Sequence, residues 1–480
     1  MGAARRIFKN TIYLGTAEVI SKILQFIVLL YAARLLSQEH FGKFSFAISL
    51  SLIAIVLADL GINTLLVREI SRNRKLASKY FANAIITKIV LSLVTFFCII
   101  IILNLLSYPQ DTRNIVYIIW TFTILSTFTE LFYSIFRAFE KMFYDAALKV
   151  LRMLLLTFAG LYVLFKGYGV FAFSYTFVVV ELIVVIAAFA IALKKFIKLE
   201  LIIDLSFIKS LVEKAFPFGF ALVFGMIYFF IGSVMLSKIK GDVEVAIYSV
   251  AYNIALGILF IPTVYTNAIY PVLSKYYKEK RLELKLLYEK SLKYLYITGL
   301  PISIGGFLLA DKIIYFFYGA AYSGSIIALQ IISMFLFIKF INFLFGTLLS
   351  SIDQQNKRLI GQGITAGFNV LLNLLLIPRF GYVGAAWSTL ITEIFLFVIY
   401  YWNVSRSWYF YDIGGVLLKP LIGVIAMFLF IKFSSLGLIL TLLLSALVYF
   451  AVLLLLKTLD KDDYGIIKTA LKNEKVQANI

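Results

Sequence analysis

The feature that most constrains this chain is its set of fourteen apolar segments, each close to the roughly 20 residues that a helix needs to cross a bilayer. Counting one crossing per segment predicts an all-α polytopic membrane protein. The predicted helices lie near residues 12–34, 44–66, 80–106, 114–136, 147–165, 169–193, 215–237, 245–270, 293–318, 322–350, 357–377, 382–402, 413–432 and 436–457.

The composition and the charge distribution agree with this prediction. Of the 480 residues, 62% are hydrophobic, whereas soluble proteins average about 45–50%. The net charge of +20 does not favour a nucleic-acid partner, because the basic residues cluster in alternate short loops and not on one soluble domain. With a cytoplasmic N-terminus, roughly 33 of the 45 Lys and Arg residues lie on the cytoplasmic side. We therefore predict a multi-pass protein of the cell membrane with both termini in the cytoplasm.

Several classes of chemistry are disfavoured by what the chain contains. It has one cysteine, Cys98, in an apolar run, and one histidine, His40, in a short loop, so we expect no internal disulfide, no Cys/His metal site and no cofactor. There is no phosphate-binding glycine loop. The longest loops, near residues 194–214 and 272–292, are rich in Lys and poor in paired Asp. We expect a protein that is not an enzyme.

The first six predicted helices resemble the next six in register. The matching pairs are Gly15 with Gly219, Arg34 with Lys238, Phe44 with Tyr248, Ser45 with Ser249, Ala47 with Ala251, Gly169 with Gly381, Tyr175 with Trp387, Thr176 with Ser388 and Glu181 with Glu393. Because six is even, both copies enter the membrane in the same direction, which defines a parallel repeat.

This repeat predicts two six-helix bundles around a central cavity. We expect an N-terminal lobe at 1–200, a C-terminal lobe at 201–410, two extra membrane helices at 411–457 and a cytoplasmic tail at 458–480. Pro262 in the predicted eighth helix and Pro301 in the ninth are candidate bending sites, because proline removes a backbone hydrogen bond.

The first predicted helix carries charges where lipid disfavours them. Thr11, Glu18, Lys22 and Gln25 fall on one helical face. A charged side chain near the middle of a spanning helix costs about 2.5–3.5 kcal/mol, so this face is expected to line a protein interior or a watery cavity. An ion pair between Glu18 and Lys22, four residues apart, is a second interpretation that is compatible with the first.

Other polar residues divide between the two predicted lobes. The first lobe carries most of the charge within the membrane, including Asp59, Lys88 and Glu130. The second lobe has Lys339 and Glu393 as its mid-membrane charges. Its predicted eleventh helix instead carries a neutral hydrogen-bonding stripe of Gln362, Thr365, Asn369 and Asn373.

Three segments resemble a known family. FGKFSFAISLSLIAIVLADLGINTLLVREISRN at 41–73, FRAFEKMFYDA at 136–146 and FGYVGAAWSTLITE at 380–393 resemble the oligosaccharide and polysaccharide flippases of the multidrug/oligosaccharidyl-lipid/polysaccharide exporter superfamily. The resemblance covers nearly the whole chain, but its motifs concern the fold and do not specify a substrate. It implies transport of a lipid-linked glycan from the cytoplasmic to the outer leaflet by rocking of two lobes. Sister families with the same fold export drugs or flip the peptidoglycan precursor.

The resemblance suggests roles for the polar residues. Lysine ammonium groups can attract a phosphate, and amides can both donate to and accept from sugar hydroxyls. We therefore expect the substrate-binding residues to be Lys22, Gln25, Lys88, Lys339, Gln362, Asn369 and Asn373. Carboxylates whose pKa is raised by burial can couple transport to an ion gradient, and the candidates are Glu18, Asp59 and Glu130.

Structural interpretations remain open at several positions. Lys149 and Arg152 are expected to be interfacial residues that extend toward the cytoplasm. Asp59 could brace the neighbouring helix, and Glu181 and Glu393 are expected to have a structural role such as capping a neighbouring helix end. The amide stripe could simply join helices.

Alternative functions also remain open. They are a cation-coupled exporter of drugs or organic cations with the same fold and, less favoured, a membrane component of a glycan-synthesising complex. Expected partners are membrane lipid, a polyprenyl- or dolichyl-phosphate-linked glycan and glycan-assembly membrane proteins.

Overall fold

The computed structural model describes residues 3–198, 203–409 and 413–458, and the regular structure within these ranges is entirely helical. The first eight helices are α1 Ala3–Leu35, α2 Gln38–Asp59, α3 Ile62–Arg72, α4 Ala77–Leu105, α5 Gln110–Ala138, α6 Met142–Phe165, α7 Gly169–Lys195 and α8 Leu205–Lys240. The other eight are α9 Asp242–Ile258, α10 Phe260–Glu279, α11 Arg281–Leu308, α12 Ala310–Tyr318, α13 Ser325–Ser351, α14 Gln355–Ser407, α15 Ile413–Phe433 and α16 Leu438–Leu455. The predicted all-α class is confirmed.

The exact count of fourteen spans is not confirmed. Within the described ranges, 11 helical segments are long and apolar enough to cross a membrane, and the pair α11 and α12, bent by 72°, would make 12. One source of the difference is α14, whose 53 residues join the predicted eleventh and twelfth helices. Another is α15, which covers the predicted thirteenth helix and is not among the eleven.

The predicted second helix is two helices. α2 begins at Gln38, where the Ser37 side chain accepts a hydrogen bond from the backbone N–H of His40. It ends at a turn in which Leu60 and Gly61 adopt left-handed φ angles of 45° and 82°. Glycine takes this conformation without steric cost, which explains Gly61 at this turn, whereas Leu60 adopts it at a steric cost. α3 then carries its charged residues on a face separate from its buried apolar residues.

Proline and glycine mark the other breaks. α9 ends at Ile258 and α10 begins at Phe260, because Pro262 has no backbone N–H and its ring crowds the carbonyl of Ile258. α11 runs through Pro301, and its sharp bend follows Leu308 instead. The helix is thus interrupted near Pro262, although residues 242–279 still form one candidate span, whereas the bend of the predicted ninth helix lies beyond Pro301.

Gly381 interrupts α14, with φ 56° and ψ −135°. Directly after it, the backbone N–H of Tyr382 donates to the Glu244 carboxylate at 2.7 Å, which caps the second half of the helix. A side chain at Gly381 would overlap this carboxylate, and one at Gly384 would overlap the Leu376 backbone. The glycines of the FGYVGAAW segment are thus required by local geometry.

Contacts divide the chain into two compact units. The first unit comprises the described residues of Met1–Ile258 and Leu359–Thr392, and the second those of Leu259–Arg358 and Glu393–Ile480. The contact units have different boundaries from the predicted lobes, because they group helices that touch and not helices that repeat. The division into lobes at 1–200 and 201–410 stays a prediction.

In the first unit, α2 is the central helix and packs against α5, α8 and α9, while α1 packs against α6 and α5 against α7. Its apolar cluster gathers buried side chains from α3, α4, α5 and α7. In the second unit, α13 packs against α10 and α11, and α15 packs against α11 and α16. There the Tyr449 hydroxyl donates to the backbone carbonyl of Ile297 at 3.0 Å.

The connection between α7 and α8 is attached to α4. Asp204 caps α8 by accepting from the Phe207 N–H at 3.0 Å, and it pairs with Lys79 at 2.9 Å. Its own N–H donates to Asn83 at 3.0 Å. The Lys79 hydrogen bond holds the pKa of the Asp204 carboxyl well below its usual range. The contribution of Asp204 to the free energy of unfolding is therefore fully present above the pKa of about 3.9 that Asp has in the unfolded chain. It is lost as the pH falls through the lower pKa of the folded state.

One end of the first unit is held by close contacts around α2. Gly42 lies directly against the Asp242 backbone at the start of α9. The adjacent Lys43, 5% exposed, pairs with Glu39 at 2.5 Å and with Asp111 at the start of α5. These contacts join α2, α5 and α9 beside Ser45.

We expect Gly42→Ala to destabilise the protein by about 1–3 kcal/mol, because the added methyl group would overlap the Asp242 carbonyl oxygen. Gly15→Ala in α1 is the matched control, since no atom lies near its added methyl group and alanine favours helix by up to about 1 kcal/mol. Chemical unfolding in detergent measures both. Equal stability of the two variants would show that α2 and α9 do not pack as described.

Candidate functional site

The first unit encloses a cavity of about 510 Å³ between α1, α2, α5, α6, α7, α8 and α9. This volume lies within the range of about 300–1,000 Å³ that is typical of ligand sites. Its lining combines aromatic and aliphatic side chains, such as Phe44, Phe122 and Phe177, with a smaller number of charged and polar groups. Such a lining suits a ligand that has both an apolar and a strongly polar part.

The polar face of α1 lines this cavity. Glu18, Ser21, Lys22 and Gln25 all belong to its wall. The Lys22 ammonium lies 3.5 Å from the Gln25 side-chain oxygen, at the outer limit of a hydrogen bond. Both residues of the alternative pair are described, and no ion pair joins Glu18 to Lys22. The charged groups of α1 are therefore available to a ligand.

α6 and α7 add a second charged wall that the sequence did not indicate. Lys149 and Arg152 of α6 and Glu181 of α7 line the cavity. Lys149 pairs with the fully buried Asp145 at 3.1 Å, and Asp145 also accepts from Arg137 at 2.6 Å. These pairs fix the positions of the basic groups. The lining then carries three basic side chains and two carboxylates.

α8 and α9 contribute neutral polar groups. Ser233 of α8 and Ser249, Tyr252 and Asn253 of α9 belong to the lining. Hydroxyl and amide groups of this kind both donate and accept hydrogen bonds. The cavity thus offers basic groups from α1 and α6 together with hydroxyl and amide groups from α8 and α9. Within the described residues, no cluster of three His, Cys, Asp or Glu side chains could hold a metal ion.

Lys88 and Asp59 do not line the cavity. They form a buried ion pair at 2.5 Å, in which the Lys88 side chain is 0% exposed, and Lys88 also donates to the Thr127 backbone carbonyl at 3.0 Å. The pair joins α2, α4 and α5. The geometry supports a structural role, and the predicted phosphate-binding role of Lys88 stays a prediction without geometric support.

Lys339 and Glu393 form the corresponding pair within the second unit. Their charged atoms lie 3.1 Å apart, and the Asn342 amide donates to the other Glu393 oxygen at 2.6 Å. Glu393 is 0% exposed. Both oxygens of this carboxylate have close partners, so the pair connects α13 with α14 and does not cap a helix end. The substrate-binding role predicted for Lys339 remains untested.

The amide stripe of α14 is also largely internal. Asn369 donates to the Thr392 hydroxyl at 3.0 Å, and the Asn373 amide donates to the Asn369 side chain at 3.0 Å. Gln362 is partly exposed, and none of these residues lines the cavity. Glu130, a predicted coupling residue, pairs with Arg137 at 3.2 Å, also outside the lining.

The position of the helix start explains why Lys149 and Arg152 were assigned to the membrane surface. The sequence predicts a helix from residue 147, which would place both within its first two turns. α6 begins at Met142, about five residues earlier, so Arg152 lies about 15 Å along the helix. The three-residue spacing of Lys149 and Arg152, which puts them on one face, was the available signal.

Comparison with known proteins identifies related families. The family described as "Polysaccharide biosynthesis protein" matches residues 7–277, more than half of the chain. A second family model, MatE, matches residues 217–375. The first match contains every residue that lines the cavity.

Two named relatives and one solved structure extend the similarity to most of the chain. The capsular polysaccharide biosynthesis protein CapF of Staphylococcus aureus is 24% identical over 83% of this chain and 99% of its own length. A protein of Escherichia coli K12 with the provisional name of O-antigen transporter is 26% identical over 80% of this chain and 93% of its own. The lipid II flippase MurJ, in an inward closed conformation, superposes with a TM-score of 0.76 at 17% identity, over 92% of this chain and 98% of MurJ. The MurJ likeness shows that the fold is shared.

The Lys88–Asp59 pair gives a prediction that separates structure from binding. Asp59→Leu alone should destabilise the protein by about 3–5 kcal/mol, because it leaves a buried charge without a partner. The double variant Asp59→Leu with Lys88→Met should recover most of this loss, since an apolar pair of similar size is often neutral. Chemical unfolding in detergent measures both effects. A double variant that is stable but inactive in transport would instead show that the pair takes part in transport, through binding by Lys88 or coupling by Asp59.

Proposed function

Since the chain belongs to the polysaccharide biosynthesis protein family, we propose that it moves a lipid-linked oligosaccharide or polysaccharide precursor from the cytoplasmic to the outer leaflet. The observation that carries the proposal is the cavity in which Lys22, Lys149 and Arg152 share a lining with Ser233 and Asn253. A lipid-linked glycan has a phosphate end and a hydroxyl-rich end. Basic groups complement the first, and amide and hydroxyl groups complement the second.

Arg152 and Lys22 would hold the phosphate. Arginine presents five donors in a planar fork that suits phosphate oxygens, and lysine acts as a mobile point charge. The apolar part of the lining lowers the local dielectric constant and so strengthens both attractions. Lys149, whose charge is partly neutralised by Asp145, would add to the positive potential. Gln25, which the sequence assigned to the substrate, stays in this site beside Lys22.

Movement across the membrane requires that the cavity open to one side at a time. Gly42 contacts Asp242 and Lys43 pairs with Asp111 directly before Phe44 and Ser45, which line the cavity. We propose that these contacts separate when the substrate is released to the outer leaflet. The same proposal places the protein in the cell membrane with both termini in the cytoplasm, and it includes glycan-assembly proteins as partners. The positive charge of the inner loops supports this orientation.

Glu18 is the coupling candidate that the geometry favours. It lines the cavity, whereas Asp59 and Glu130 are held in ion pairs with Lys88 and Arg137. A carboxylate beside a substrate site can alternate between proton and substrate. Collapsing the proton and sodium gradients in proteoliposomes tests the idea. Transport that continues at full rate would exclude coupling through any of these carboxylates.

The MatE match over residues 217–375 favours a second candidate, export of organic cations. The lining argues against it, because three basic side chains outnumber the two carboxylates and would repel a cationic drug. Expulsion of a cationic dye along an ion gradient, without movement of a glycan lipid, would favour this alternative.

We predict that Arg152→Ala and Lys22→Ala each lower the initial rate of glycan-lipid flipping by at least about tenfold, which corresponds to the loss of one charge-assisted hydrogen bond. The rate is measured with a fluorescent polyprenyl-pyrophosphate-linked glycan in proteoliposomes. Lys166→Ala is the matched control, because Lys166 lies exposed at the end of α6 and outside the cavity. Native rates for both cavity variants would refute the cationic binding site.

A further inference from the structure

Glu181 is a fully buried carboxylate at the cavity wall, and its two oxygens are held differently. One oxygen accepts a hydrogen bond from the Thr129 hydroxyl of α5 at 2.5 Å. The other lies 3.5 Å from the Arg152 guanidinium, with no hydrogen-bond partner among the described residues. Thr129 therefore fixes the carboxylate from one side and leaves it at some distance from the arginine on the other.

The separation is longer than a strong ion pair requires. Charge-assisted hydrogen bonds between guanidinium and carboxylate groups measure about 2.7–2.9 Å. About a quarter of the Arg152 side chain is exposed, at 26%, and it faces the cavity lining. Arg152 is thus oriented by Glu181 without being fully engaged by it. Several of its donors remain for a ligand.

The Lys339–Glu393 pair of the same chain is an example in which both carboxylate oxygens have close partners. These partners are Lys339 at 3.1 Å and Asn342 at 2.6 Å, and the lysine is nearly buried at 6%. Glu181 and Glu393 occupy matching positions in the sequence repeat. Only the pair at Glu181 lines the cavity and leaves one carboxylate oxygen without a hydrogen bond.

We propose that the Glu181 carboxylate competes with the substrate for Arg152. The phosphate group of the incoming substrate displaces the carboxylate from Arg152, and the carboxylate pairs with Arg152 again when the substrate leaves. This inference rests on the proposed function and deepens it, because it names the residue that sets affinity and release at the phosphate site. A carboxylate that competes for the guanidinium weakens binding of any anion to the site. It also lowers the barrier to release, because Arg152 never has to remain without a counter-charge.

Thr129 acts as a positioning residue in this arrangement. Its hydroxyl holds one Glu181 oxygen and so limits how closely the carboxylate approaches Arg152. Without that hydrogen bond, the buried Glu181 oxygen would lack a donor, which is unfavourable. The carboxylate would then move closer to the Arg152 guanidinium, with which it already pairs. Removing Glu181 and removing its Thr129 anchor should therefore change anion affinity in opposite directions. A carboxylate that merely braced the helices would not give this pattern.

The experiment measures binding of inorganic pyrophosphate to the purified full-length protein by calorimetry in detergent. Glu181→Gln keeps the shape and the Thr129 contact but removes the charge, and it should tighten binding about tenfold. Thr129→Val should weaken binding severalfold. In an Arg152→Ala background, Glu181→Gln should have no further effect, because the two residues act on the same interaction.

The outcomes separate this inference from the proposed function. An unchanged or weaker affinity of a folded Glu181→Gln protein overturns the inference, whether or not the protein flips glycan lipids. If Glu181→Gln does not fold, Glu181→Asp is the alternative variant. It keeps the negative charge but moves it away from Arg152 by about the length of one methylene group, so it should also tighten pyrophosphate binding. In proteoliposomes, Glu181→Gln should lower both the half-saturating substrate concentration and the maximal rate. Tighter pyrophosphate binding without any glycan flipping would support the role of Glu181 while refuting the proposed substrate.

Discussion

The high cost of a charge in apolar surroundings governs the arrangement of this protein. A buried ion without a partner is strongly destabilising, and each buried charged side chain among the described residues lies in an ion pair. Lys88 is held by Asp59, Lys339 by Glu393, and Asp145 by both Arg137 and Lys149. These pairs connect neighbouring helices. Lys22, which has no ion pair among the described residues, and Arg152, which lies 3.5 Å from Glu181, both line the cavity, where an anionic ligand could reach them.

Close helix contacts create the frame for that cavity. Gly42 allows α2 to approach the start of α9, and Gly381 with Gly384 allows α14 to turn beside Glu244. These glycines belong to the segments that resemble the flippase family. Their conformations and contacts explain why such segments report a fold and not a substrate. Substrate recognition depends instead on the side chains that the frame directs into the cavity.

The sequence predicted the helical class, the membrane location of the segments and the polar face of α1. Each of these follows from periodicity within one helix, which is local information. The spacing of Glu18, Lys22 and Gln25 predicted a shared polar face, and all three residues line the cavity. The pairing of Lys88 with Asp59, 29 residues away, and of Lys339 with Glu393, 54 residues away, could not be predicted in this way. Periodicity shows which face of a helix is polar, but not which other helix it meets.

The same limitation explains the polar wall of the cavity. The regular stripe of Gln362, Asn369 and Asn373 predicted a sugar-binding surface. Its two asparagines instead hydrogen-bond to side chains within the first unit. The hydroxyl and amide groups at the cavity include Ser233 and Asn253, which lie on two different helices and so form no stripe along one helix. Similarly, the early start of α6 moved Arg152 from the predicted surface to the cavity.

The most direct test of this account is to find whether the substrate's phosphate–glycan head group lies in the cavity. A photo-reactive amino acid placed at Asn253, which lines the cavity, should cross-link a lipid-linked glycan in proteoliposomes, and excess pyrophosphate should reduce the cross-link. The same probe at the exposed Leu374 of α14 is the control for general contact with lipid. A cross-link at Asn253 that pyrophosphate suppresses is the result we predict. Equal labelling at both positions, unaffected by pyrophosphate, would contradict a phosphate-binding cavity in the first unit.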